Sequence, residues 1–195
     1  MQKFEYKGKT YLKIKQDWYS EIGQKLPLKT AVTLDAEFNV KLIENEQSIV
    51  KLLDQTRYFL SIGSTKRAYE VIIEALSLAT KKDEQTQFLP NVIVMYTQVI
   101  KAIEKHQEGI DQIVTILQNE PEAKQHAQVM TALASLYVEN KQGEQAIKLA
   151  HDAMIAFKKS KRKVSDDLMI VWSQLKKSFP EEYRAYRDQL KQTGK

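Results

Sequence analysis

Adjacent carboxylates are the nearest this chain comes to an acid–base apparatus. Asp166-Asp167 and Glu181-Glu182 are its candidates. Neighbours on a helix point in different directions, so the members of each pair do not converge on one reacting atom. Each pair opens an apolar-periodic run, after Ser165 and Pro180 respectively. There, acids favour the helix dipole, so both pairs read as N-terminal caps. His106, His126 and His151 stand alone without a partner at metal-ligand spacing, and there is no cysteine, so thiolate metal sites and a cysteine nucleophile are excluded. Six scattered glycines form neither a phosphate-cradling loop nor a Gly-x-Ser-x-Gly elbow. The expectation is a non-enzyme with no metal and no cofactor.

Cations offer a second chemistry. Lys158, Lys159, Lys161, Arg162 and Lys163 put five positive charges into six residues. They read either as a phosphate-binding cluster for nucleic acid or as a solvated loop whose cations favour the end of the preceding helix. Lys3, Lys7, Lys9, Tyr11, Lys13 and Lys15 pose the same choice. A basic, aromatic strand face suits a single-stranded nucleic acid, and lysines also protect an exposed sheet edge.

Of the 30 Lys and Arg and 25 Asp and Glu, residues 156–195 hold 11 and five. The remaining 19 and 20 leave residues 1–155 nearly neutral, so the net charge of +5 comes from the C-terminal fifth. Hydrophobic residues make up 43%, enough for a real core. The charged start of the chain has no apolar run after it, and no stretch approaches the roughly 20 apolar residues of a membrane span. With no cysteine to oxidise, a cytoplasmic protein without membrane contact is expected.

Two regimes of periodicity position these groups. Over residues 1–44 the pattern alternates. A hairpin centred on Gly8 places Phe4, Tyr6, Leu12 and Ile14 on one face, with Tyr11 and the lysines on the other. A helical turn follows at 16–22, and then a second hairpin pairs Ala31–Leu34 with Phe38–Leu42. From about residue 45 the period is helical. Helices are expected near 49–60, 68–78, 92–103, 109–117, 126–137, 145–157, 168–179 and from 180, with a polar connection from Lys81 to Gln87. Trp172 reads as core, and Trp18 as a seal between sheet and helices.

Within the helical region Met130-x2-Leu133-Ala134-x2-Tyr137, Gly143 and Ala146-Ile147-x2-Ala150-x2-Ala153 set large residues on one face and small ones where backbones meet. This unit resembles the tetratricopeptide repeat (TPR). Ala68, Ile72 and Ala75 fall in the register of Ala146, Ala150 and Ala153, and Gly109, Ile113 and Ile116 lie between. The intervals are 41 and 37 residues. The likeness covers about residues 48–160, with one clear unit and two looser ones. Both earlier units lack the Leu-Gly-x2-Tyr core, and the last ends in lysines rather than proline.

The expected fold is therefore mainly α. A small β-hairpin module (1–44) packs on an α-solenoid of TPR-like helical hairpins with C-terminal capping helices (45–195), α+β overall. A generic helical bundle is the alternative.

The resemblance implies that first helices line a concave face. In the clear unit that face is Gln128, Thr131, Ser135, Val138 and Glu139. In the middle unit it is Asn91, Val94, Gln98 and Lys101. Such a mixed polar surface suits hydrogen bonds to a peptide, although Arg57 and Lys101 alone do not make a carboxylate clamp. The expected function is a protein- or peptide-binding adaptor, chaperone or regulatory scaffold; the alternative is phosphate binding through Lys158–Lys163. A transcription regulator with an N-terminal DNA-binding helix-turn-helix is disfavoured by the strand-like residues 1–44. A homodimer is compatible with this architecture, and nothing in the sequence demands one.

Overall fold

Lys7 and Gly8 both adopt positive φ, 49° and 72°. They form a two-residue turn of the primed type, which matches the twist of the strands it joins. The strands are β1 (Gln2–Tyr6) and β2 (Lys9–Ile14), followed by β3 (Asp17–Ser20) in an antiparallel sheet of order β1-β2-β3. The computed structural model describes residues 1–80 and 87–192. Of the connection expected at Lys81–Gln87, residues 81–86 lie outside them.

Three expectations for this module need correction. Because the loop has two residues, Phe4 pairs with Tyr11 and Lys13 with Trp18. Phe4, Tyr6, Tyr11, Lys13 and Trp18 therefore share the packed face, while Leu12 and Ile14 take the other. A shift of one residue flips every side chain. Residues 17–20 are strand rather than helical turn, held by pairing with β2. The second hairpin is absent: Ala31–Leu42 lies inside α1 (Leu28–Ser61). Leu34, Phe38 and Leu42 recur every four residues, so a helix gathers them on one face, and Asp35-Ala36-Glu37 contains neither Gly nor Pro to interrupt it.

That face covers the sheet. Phe4, Trp18, Leu34 and Phe38 are buried together, with the Trp18 ring 5.8 Å from Phe4 and 5.7 Å from Phe38. Trp18 is the expected seal. Its Nε1 donates to Asp35 Oδ1 at 2.9 Å, and Lys13 Nζ reaches the same oxygen at 2.6 Å. Lys13 also lies over the Trp18 and Phe38 rings. It is thus a packed cation, and the expected solvated row of basic residues is broken.

Hydrogen bonds from Lys13 and then from Trp18 hold Asp35 below the ordinary Asp value of 3.8. A carboxyl depressed in the folded state contributes stability above its unfolded pKa, and this is lost as pH falls through the folded value. Acid titration of Asp35→Asn should therefore show a shallower loss of stability below about pH 4 than wild type does. Identical acid limbs would remove Asp35 from the account.

The helical part consists of α2 (Thr65–Ala79), α3 (Leu89–Ala102), α4 (His106–Asn119), α5 (Pro121–Lys124), α6 (Ala127–Glu139), α7 (Gly143–Lys159), α8 (Asp166–Ser178) and α9 (Pro180–Gln192). Helices pack in hairpins: α1 with α2, α3 with α4, α6 with α7 and α8 with α9. Gly63, Glu104 and Lys141, at the turns of the first three, have φ of 71°, 57° and 59°. Each turn carries the same paired cap. Ser64 N bonds Phe59 O, Lys105 N bonds Ile100 O and Gln142 N bonds Tyr137 O, with a shorter-range partner beside each. Gly63, Glu104 and Lys141 each precede by five the small residue of their hairpin, Ala68, Gly109 or Ala146. The sequence register is thus repeated in the backbone.

Ala68, Gly109 and Ala146 are all buried, as are Ile72, Ile113 and Ala150 behind them. A Cβ on Gly109 would stand 2.5 Å from Ile100 Cγ2, so the Ile100 side chain of α3 packs directly onto the α4 backbone there. Ala146→Leu should overpack the same position of the third hairpin and cost about 1–3 kcal/mol. A denaturation midpoint equal to wild type would place Ala146 outside the contact.

One core runs through α1–α6, and a second through α6–α9. Ser165 Oγ accepts from Leu168 N at 3.3 Å, capping α8 as expected. Trp172 is half-buried, packed against the second core and against Tyr183 and Tyr186 of α9.

Candidate functional site

A groove of about 550 Å³ runs across α3, α6 and α8, with Arg57 of α1 at its edge. Each of the three helices contributes the same spacing. On α3 it is Asn91, Val94 with Met95, and Gln98. On α6 it is Gln128, Thr131 with Ala132, and Ser135. On α8 it is Asp167, Ile170 with Val171, and Gln174. Positions i, i+3/i+4 and i+7 lie on one helical face, so the three faces align into a layered surface. A mainly apolar floor of Val94, Met95, Ala132, Ile170 and Val171 lies between two polar rows. One row is Asn91, Gln128 and Asp167; the other is Gln98, Ser135 and Gln174.

Seven of the nine residues expected on a concave face line this groove: Asn91, Val94, Gln98, Lys101, Gln128, Thr131 and Ser135. Glu139 is not in its lining. It pairs with Lys101 at 3.4 Å and so ties α6 to α3 at the groove's end. Val138 is buried in the core shared by α6, α7 and α8 and is not in the groove's lining. Arg57 is bonded to Asp54 at 2.6 Å.

The hydroxyls need a finer description. Thr131 is buried and donates to Ala127 O at 2.8 Å; Ser135 donates to Ala132 O at 2.7 Å. Thr97, also in the lining, donates to Ile93 O at 2.9 Å. With their protons engaged by their own helices, these groups offer only lone pairs to a ligand. Asn91, Gln98 and Gln128 are exposed, and each amide presents both donor and acceptor. A ligand's backbone amides are their natural complement.

Ser165, Asp167, Ile170, Val171 and Gln174 were not expected here, since α8 and α9 read as a cap. The signal was present in the spacing 167, 170/171, 174, which repeats that of α3 and α6. Ile170 is 56% exposed, an apolar residue kept at the groove rather than in the core.

Lys158 and Lys159 form the last turn of α7, Lys161 adopts φ 54°, and Arg162 and Lys163 lead into α8. All five are exposed, and none forms an ion pair among the described residues. They lie outside the lining of this groove. Beside them His126 is half-buried, and burial, followed by the charge of Arg162, lowers its pKa below 6.5.

Among the described residues no His, Cys, Asp or Glu cluster has metal-binding geometry. No helix there is long and apolar enough to cross a membrane. No protein-family model matches the chain, and no curated protein matches it.

Proposed function

We propose that the chain is a non-enzymatic scaffold, an adaptor, chaperone or regulatory module acting in the cytoplasm. In this reading its helical hairpins form a short α-solenoid of TPR-like units, and the groove holds an extended segment of a partner protein. One observation carries the proposal. Three successive first helices, α3, α6 and α8, present polar–apolar–polar faces in register around a single groove. A peptide crossing the helices sets its backbone between the amide rows and a small apolar side chain on the floor. Because amide side chains read backbone groups, binding is tolerant of sequence, and specificity comes from the floor.

A second reading rests on the five exposed cations of Lys158–Lys163, which suit phosphates of nucleic acid. Affinity capture from native lysate, with and without nuclease, separates the two. The groove variant is Asn91→Ala/Gln98→Ala/Gln128→Ala, three exposed positions whose loss leaves the core intact. A discrete protein retained through nuclease and lost in that variant is the expected result. Retained material that disappears with nuclease and ignores the variant would transfer the function to the cations. It would also weaken steeply between about 50 and 200 mM salt.

A further inference from the structure

We propose that the outer face of α1 is a homodimer interface, formed by antiparallel two-fold pairing with α1 of a second copy. This inference does not rest on the proposed peptide groove, with which the face shares only Arg57. At 1.5 Å per residue α1 is roughly 51 Å long. Leu34, Phe38, Ile49, Leu52, Leu53 and Thr56 are its buried side, covered by the sheet and by α2 and α3. A second apolar stripe lies opposite. Val32, Val40, Ile43, Val50 and Tyr58 are between 40% and 60% exposed, although all fall within roughly 60° of one line along the helix at 3.6 residues per turn. An amphipathic surface helix has one such stripe; α1 has two.

The spacing of the second stripe is that of a seam. Ala36, Val40, Ile43, Gln47, Val50 and Asp54 follow in steps of four, three, four, three and four, the alternation that lets two helices pack along their length. Around its centre the surface hollows into a groove of about 700 Å³, bordered by Ile43, Val50, Tyr58 and Phe88. Gln47 is the polar residue at mid-seam, a device that fixes register at some cost in stability.

Charge identifies the occupant. Glu44 and Lys51 lie on the same flank of the stripe, on either side of its centre. Antiparallel pairing about a two-fold axis near residues 48–49 brings Glu44 of each copy beside Lys51 of the other, giving two equivalent ion pairs. The layers then set Gln47 against Val50, Ile43 against Asp54, whose carboxylate is paired with Arg57 of its own chain, and the aliphatic stem of Arg57 against Val40. Parallel pairing would stack Asp54 on Asp54 and Arg57 on Arg57. The face is thus complementary to itself in one orientation, as a two-fold interface requires.

Sedimentation equilibrium of the full chain tests this at protein concentrations up to the order of 100 µM. The expected result is a dimer that Ile43→Glu converts to monomer, with helical circular dichroism unchanged because Ile43 is exposed. Glu44→Lys and Lys51→Glu should each weaken association about tenfold by opposing like charges, and combining them should restore it. A chain that stays monomeric throughout that range overturns the proposal. So does a dimer indifferent to Ile43→Glu, or a double reversal no tighter than the single ones.

Discussion

Trp18→Ala is expected to cost about 3–5 kcal/mol, the usual price of deleting a buried large aromatic, and to confine the damage to one end of the molecule. Trp18 is 1% exposed and touches Phe4 and Phe38 within a cluster separate from the two helical cores. Its loss also removes one of the two donors to Asp35. Ile49, Leu52, Leu53 and Thr56 still anchor the later half of α1. In hydrogen exchange, peptides from residues 1–42 should lose protection, while those from α3 to α7 retain it. Uniform loss of protection along the chain would show that sheet and helices unfold as one unit.

Leu168→Ala should cost about 2–5 kcal/mol, and its effect should reach the groove. Leu168 is fully buried in the first turn of α8, at the level where Ser165 caps the helix. Two and three residues on, Ile170 and Val171 supply one wall of the groove. Loosening the turn displaces that wall, so lowered stability and weakened partner retention should appear together. Met169→Ala is the matched control, since Met169 is 56% exposed. It should change stability by less than about 0.5 kcal/mol. If Leu168→Ala lost stability but kept full partner retention below its melting transition, α8 would have no part in binding.

The helical register was legible because close approach leaves a mark in composition. Ala68, Gly109 and Ala146 are small where helices touch, and the left-handed turns at Gly63, Glu104 and Lys141 keep the same offsets. Only the first of those turns uses glycine, so turn chemistry alone would have missed the other two. Residues 28–44 misled because period two and period four coincide over short apolar runs. Ala31–Leu34 alternates, yet Leu34, Phe38 and Leu42 are also four apart. The parity of a two-residue turn then decided which side of the sheet was packed.

In the groove, residue types at fixed spacing located α3 and α6. Which hydroxyls remain free to donate depends on bonds within each helix: Thr131 and Ser135 turn theirs inward. For α8 the strongest sequence signal is the basic segment before it, while the recurrence of Asp167, Ile170 and Gln174 at the spacing of α3 and α6 is weak without the neighbouring helices in place.

The most direct measurement is photo-crosslinking from position 174. A benzoylphenylalanine at Gln174 lies on the wall that only α8 provides, and one at Glu70 on α2, exposed and outside the groove, serves as control. In nuclease-treated lysate the account predicts a discrete protein joined at 174, absent at 70, and lost when Asn91, Gln98 and Gln128 are replaced by Ala. Equal labelling from both positions, or labelling at 174 that survives those replacements, would contradict it.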